Sequence, residues 1–287
     1  MTDATPHILA FACDDRPGLV AAVTGELAAA GGNITDARQY NDPDTARFFM
    51  RVAFDIADGA AFRARVAELA DGLGLDWRMR RADRRPRVLI LVSKFDHCLV
   101  DLLYRHRAGE LAMDVVGVVS NHPREALGGL GLGEPGLGGI PFHHLPVTRD
   151  TKPAQEARLE ALIDETGAEL VVLARYMQIL SDRLAARLSG RCVNIHHSFL
   201  PSFKGARPYH QAHARGVKMI GATAHFVTAD LDEGPIIAQG AEPVTHAATP
   251  ADLVAHGRSI EQRVLARAVR ALVEDRVFLN GRRTVVF

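Results

Sequence analysis

At 287 residues the chain is long for one compact core and comfortable for a small domain joined to a larger one, so two domains are expected. Apolar residues make up 47% and charged residues 24%, which excludes a disordered or fibrous design, and 34 basic against 34 acidic residues leave no global field to hold a nucleic acid. No stretch approaches the roughly 18 uninterrupted apolar residues of a membrane span, and Cys13, Cys98 and Cys192 each sit in an apolar run without metal-ligand spacing, so no membrane partner and a reduced, cytoplasmic setting are expected.

The N-terminal part reads as a β-α-β-β-α-β unit. His7 to Cys13 is a strand, and Gly18 to Ala30 a helix with Leu19, Val20, Val23 and Leu27 on one face. Gly31-Gly32 stops that helix, and Asn33 to Tyr40 and Ala46 to Ile56 form a strand pair around the turn at Asn41 to Asp44. A helix from Ala61 to Leu73 and a strand around Trp77 to Met79 close the unit. The stretch Arg80 to Arg87 is charged, contains Pro86 and has no apolar periodicity. It reads as a linker and sets the expected domains at 1–84 and 85–287.

Beyond it apolar strands alternate with amphipathic helices. Val88 to Ser93, Met113 to Ser120, Glu169 to Ala174, Cys192 to His196 and Ile220 to Val227 are strands; Cys98 to His106, Ala154 to Thr166 and Ala251 to Val273 are helices. This alternation predicts an α/β fold, a doubly wound, mostly parallel Rossmann-like sheet, whose ligands bind beyond the carboxyl ends of the strands. Leu127 to Ile140 holds seven glycines and contains Gly131, Gly133 and Gly136 in G-x-G-x-x-G spacing. No strand ends at Gly131 and Pro135 prevents a clean helix start, so the segment reads as a loop rather than a dinucleotide site.

Asn194 and His196 lie two apart on a strand, so both side chains point to one face at its carboxyl end. Downstream, His225 lies on a strand that runs into a turn carrying Asp232, Gly234 and Pro235. An amide, an imidazole and a carboxylate are the ingredients for attack on a carbonyl, two stabilising an oxyanion and one handling a proton. Hydrogen-bonded structural groups would show the same spacing, and His143-His144, His196-His197 and His210 with His213 keep a metal open.

The run Asn194-Ile195-His196-His197 to Gln211, Gly221 to Val227 and Leu231-Asp232-Glu233-Gly234-Pro235 resemble the formyltetrahydrofolate-dependent formyltransferase superfamily, and within it the deformylase branch. Asp15-Arg16-Pro17-Gly18-Leu19-Val20 with Gly31-Gly32-Asn33-Ile34 resemble an ACT domain, so 1–84 is expected to be ferredoxin-like and regulatory. The resemblance implies hydrolysis of 10-formyltetrahydrofolate to formate and tetrahydrofolate, feeding purine synthesis and balancing the one-carbon pool. It implies Asn194, His196 and Asp232 as catalytic residues, His225 in support, and no metal or separate cofactor.

It also implies that the folate lies against Met177, Gln178, Ile179, Leu180, Val227 and Thr228, with Gln178 standing where relatives often carry a basic residue. The ACT-like unit implies a homo-oligomer and an amino-acid effector, methionine or glycine, at Asp15, Arg16, Gly18, Asn33 and Ile34. Rival readings are a transferase to a ribonucleotide amine, a methionyl-tRNA formyltransferase and a folate sensor without turnover. The first needs a phosphate cradle after the first strand of the second domain, where Ser93 to His97 has no glycine and Asp96 repels an anion. The second needs a basic stripe that the sequence lacks.

Overall fold

The structure is a computed structural model and describes residues 4–127, 138–200 and 208–287. The G-x-G-x-x-G match at Gly131 to Gly136 and the Pro201 to Arg207 part of the motif lie outside the described residues. The chain divides into two compact units, Met1–Arg85 with Glu274–Phe287, and Pro86–Val273.

The smaller unit contains β1 (Thr5–Asp14), α1 (Leu19–Ala29), β2 (Asn33–Asp42), β3 (Arg47–Ile56), α2 (Gly59–Leu73) and β4 (Asp76–Arg81). The strands form an antiparallel sheet in the order β2-β3-β1-β4. Alternation sends Leu9, Phe11 and Cys13 of β1 and Phe48, Met50, Val52 and Phe54 of β3 into one core with Val23 of α1 and Phe62 and Val66 of α2. Gly74 ends α2 in the left-handed conformation at φ 64°, and Asp58 caps its start by accepting from the Ala61 amide.

The opposite face of this sheet carries Ala10, Ala12 and Phe49, and the C-terminal segment covers them. The hairpin β12 (Val277–Asn280) and β13 (Arg283–Val286) packs Phe278 edge-on to Phe49 with ring centroids 5.8 Å apart. Asp275 receives Arg78 at 2.7 Å and Arg80 at 2.6 Å, and Asn280 donates to Asp42. The expectation that 85–287 forms one domain is therefore corrected: the last residues of the chain pack with the first unit. The expected linker also shrinks, because Arg80 and Arg81 belong to β4 and Arg87 opens β5.

The larger unit runs β5 (Arg87–Val92), α3 (His97–Arg107), β6 (Asp114–Ser120), β7 (Phe142–His144), α4 (Lys152–Thr166), β8 (Leu170–Leu173), α5 (Asp182–Arg187), β9 (Cys192–His196), α6 (Pro208–Ala214), β10 (Met219–Phe226), β11 (Ile236–Pro243) and α7 (Pro250–Val273). Its sheet has the order β11-β10-β9-β8-β5-β6-β7. The five strands from β9 to β7 are parallel, and β10 and β11 extend one edge through antiparallel pairings. Val88 to Val92 are fully buried, as expected of a central strand covered on both faces. The chain leaves β5 toward β6 and later returns to its other side at β8. This reversal opens a crevice beyond the carboxyl ends of β5 and β8, where open α/β sheets bind ligands. Among the described residues no helix is long and apolar enough to cross a membrane.

Candidate active site

Antiparallel pairing of β9 with β10 sets Asn194 opposite His225 and His196 opposite Thr223. The register of β10 against β11 shifts between Ala224 and His225, a bulge of the kind that re-aims a side chain. The chain then turns through Asp232, whose φ of 58° is left-handed, a conformation aspartate tolerates better than most residues. Gly234 makes the turn possible, since a Cβ there would stand 1.8 Å from the Phe226 carbonyl oxygen. The Phe226 amide donates back to Pro235 at 2.9 Å and closes the turn against the strand.

These constraints bring Asn194, His196, His225 and Asp232 together. His196 Nδ1 lies 3.2 Å from Asp232 Oδ2, and His225 Nε2 lies 3.6 Å from Oδ1. Burial alone would raise the Asp232 pKa; hydrogen bonds and positive charge from the two imidazoles outweigh it and hold the carboxyl well below its usual range. His225 Nδ1 is 2.8 Å from the Phe226 carbonyl, which can only accept, so Nδ1 carries a hydrogen. The Asn194 amide nitrogen is 3.3 Å from its Nε2. His196 differs: its Nε2 is buried and has no protein partner among the described residues.

The cluster opens on a cavity of about 530 Å³, within the range that holds a drug-sized ligand. Met177, Gln178, Ile179, Leu180, Val227 and Thr228 all line it. Met177 and Ile179 are more than half exposed although apolar, while Leu180 is buried beneath them in the sheet core. Ser93, at the end of β5, braces this wall. Its amide donates to Arg175 O at 3.2 Å, its hydroxyl accepts from the Met177 amide at 2.9 Å, and it donates to Asn121 Oδ1 at 2.6 Å. The brace fixes a turn in which Arg175 is left-handed at φ 65°. The loop that could have cradled a phosphate thus spends its hydroxyl on the cavity wall.

The other wall contains residues that the sequence reading missed. Glu261 of α7 is 1% exposed; it accepts from Tyr209 at 2.7 Å and is 2.8 Å from His97 Nε2 and 3.4 Å from Arg175 Nε. Tyr209 reaches it across Gly257, where a Cβ would come 2.1 Å from the phenol ring. His97, Cys98 and Glu261 hold three potential metal-ligand atoms within 4.8 Å. The guanidinium of Arg175 already sits beside the carboxylate, and burial and the charge of Glu261 push the Cys98 thiol well up and keep it protonated, so the set is a poor cation site. A carboxylate four residues after a glycine, on the apolar stripe of a long helix, was the signal that could have revealed Glu261.

The five expected effector residues do not converge within the unit. Asp14, beside Asp15 and Arg16, pairs with Arg47, whereas Asn33 pairs with Asp55, eight residues along β3. At about 3.4 Å per residue that is some 27 Å. Arg16 donates to Leu73 O at the end of α2, and Gly18 takes φ 91° at the start of α1.

Fold and site define a formyl-group enzyme of the formyltransferase class carrying an ACT domain: the formyl transferase family profile matches residues 86–269 and the ACT domain profile residues 7–71. A formyltetrahydrofolate deformylase of Corynebacterium sp. (strain P-1) is 51% identical over 100% of this chain and 99% of its own. The crystal structure of the deformylase of Burkholderia mallei superposes with a TM-score of 0.93 at 50% identity over 99% of both chains. A glycinamide ribonucleotide transformylase of Symbiobacterium toebii covers 71% of this chain and 94% of its own, with a TM-score of 0.63 at 32% identity. The chain belongs to the formyltetrahydrofolate deformylase family.

Proposed function

We propose that the protein hydrolyses 10-formyltetrahydrofolate to formate and tetrahydrofolate, with Asn194, His196 and Asp232 acting on the formyl carbonyl and water as the nucleophile. The observation that carries this is the His196–Asp232 pair, in which one ring nitrogen is engaged and the other, buried Nε2, is left for a ligand. With the imidazole protonated against the ionised carboxylate, Nε2–H and the Asn194 amide donate to the formyl oxygen as it becomes an oxyanion, each worth on the order of 3 kcal/mol in the transition state. Water adds to the formyl carbon and gives its proton to Asp232. Asp232 returns that proton to N10 as the C–N bond breaks, which leaves the amine of tetrahydrofolate and formic acid, which ionises to formate.

A carboxylate held this far down is a weak base, but it is fully ionised at neutral pH, and the acidity of the attacking water rises as its bond to carbon forms. Met177, Ile179 and Val227 supply the apolar surface for the pterin, and Gln178 at the rim leaves the anionic tail of the folate without a cation at that position. The use of Ser93 as a brace supports water over a ribonucleotide amine. The ACT unit supports an amino-acid effector; since Asp15, Arg16 and Gly18 stand apart from Asn33 and Ile34, two copies of the unit would be needed to join them, which favours a homo-oligomer. A cytoplasmic place and a supply of formate to purine synthesis complete the reading. The test is an assay of 10-formyltetrahydrofolate consumption with and without glycinamide ribonucleotide: formate should equal folate consumed in both, and formylated ribonucleotide appearing at the expense of formate would overturn it.

A further inference from the structure

We propose that the cavity holds a second subsite, a small-carboxylate site that receives formate beside Arg258, Arg175 and Phe95; this rests on the deformylase reading above. Three observations carry it. Arg175 is 8% exposed and lines the cavity, and its buried Nε lies 3.4 Å from Glu261 Oε2 without a hydrogen bond among the described residues. Arg258 projects from α7 into the same cavity, and its guanidinium and that of Arg175 converge on one aromatic ring, Phe95, at 5.8 Å and 5.7 Å from its centroid. The negative charge of this wall is already spent, because Glu261 is shared among Tyr209, His97 and Arg175. Arg258 therefore stands as excess positive charge on that wall among the described residues.

The chemistry of the product fits this imbalance. Formate is released next to Asp232, which is ionised; of the other two acids lining the cavity, Asp230 belongs to the same turn after β10 and Glu261 is shared among Tyr209, His97 and Arg175. Repulsion from that turn and attraction to the guanidinium pair act in the same direction, and a guanidinium binds a carboxylate through paired N–H donors. The apolar wall at Met177 to Leu180 offers formate nothing comparable.

The test measures binding without turnover. ¹³C-formate is titrated into the protein loaded with tetrahydrofolate, at constant ionic strength set with chloride, and binding is read from the formate line width. The parent should bind formate, Arg258→Gln should weaken it by about fivefold or more, and Arg258→Lys, which keeps the charge and loses the fork, should fall between them. Equal affinity in parent and Arg258→Gln, or no binding by the parent, overturns the subsite. The lysine variant also guards against a glutamine variant that folds poorly. Failure of the deformylase reading is seen separately, as a parent that releases no formate from 10-formyltetrahydrofolate.

Discussion

The two walls of the cavity are both rich in polar side chains and differ in what those side chains have left to give. Around Asp232 the groups are incompletely satisfied: the carboxylate is shared by two imidazoles, and His196 Nε2 has no protein partner among the described residues. Around Glu261 the carboxylate is enclosed by a phenol, an imidazole and a guanidinium within 3.4 Å. A buried polar group left unsatisfied is costly, so it persists where a ligand completes it, while a satisfied one serves as framework. The difference supports the proposed reading, in which the first wall reacts and the second holds.

The sharpest way to break that assignment is Asp232→Asn, which keeps the shape and removes the charge. Formate release from 10-formyltetrahydrofolate should fall by about a thousandfold in kcat/KM, with melting temperature little changed. A variant within tenfold of the parent would move the chemistry elsewhere. Glu261→Gln should behave in the opposite sense. It leaves the buried Arg175 guanidinium without its counter-charge and should cost about 3 kcal/mol in urea unfolding. A stable Glu261→Gln variant that has lost turnover would reverse the roles of the two walls.

The acid limb of stability gives a third, smaller effect. Burial first, and then the charge of Arg175, lower the His197 pKa from 6.5 to about 4. Folded His197 stays neutral over that interval while the unfolded chain takes up a proton, so the unfolded state holds more protons and stability rises with pH. The contribution is complete above about pH 6.5 and is lost as pH falls toward 4, up to a few kcal/mol. Asp232 adds to the loss only further into acid, because its depressed carboxyl stabilises the fold above the ordinary value of 3.8 and less below it. Denaturation from pH 7 to pH 4.5 should show the slope in the parent and a flatter one in His197→Asn; parallel slopes would assign the acid limb to other groups.

The gathering of Asn194, His196 and Asp232 was largely legible in the sequence and that of Glu261, Tyr209 and His97 was not. Asn194 and His196 announce a shared face because strand side chains alternate with a period of two, and Leu231 to Pro235 announces a rigid turn. Glu261 carries no such local sign. Its partners Tyr209 and His97 are 52 and 164 residues away in sequence, so only the packed fold brings them together. Short elements escaped for a related reason: Phe142–His144 and Asp182–Arg187 complete too little of a period to stand out. The C-terminal hairpin shows both sides. Asn280-Gly281 between apolar runs is a strong hairpin signal, and Gly281 takes φ 61° there. Nothing local says that Phe278 finds Phe49 across most of the chain, and so the return of the last residues to the first unit was not foreseen.

The smallest expected effect lies at Ser93, which braces the Met177 turn. Ser93→Ala removes the acceptor of the Met177 amide and the donor to Asn121 Oδ1, and leaves both partly buried groups short of a bond. The cost of about 1–2 kcal/mol falls on the turn that carries Arg175 to Leu180, the surface proposed above for the pterin. None of the bonds within Asn194, His196, His225 and Asp232 passes through Ser93. The variant should therefore raise KM for 10-formyltetrahydrofolate by about tenfold and leave kcat within about threefold, as expected when ground-state and transition-state binding weaken together. A fall in kcat at constant KM would mean that the brace positions the reacting groups themselves, and the division between a wall that reacts and a wall that holds would have to be redrawn at β5.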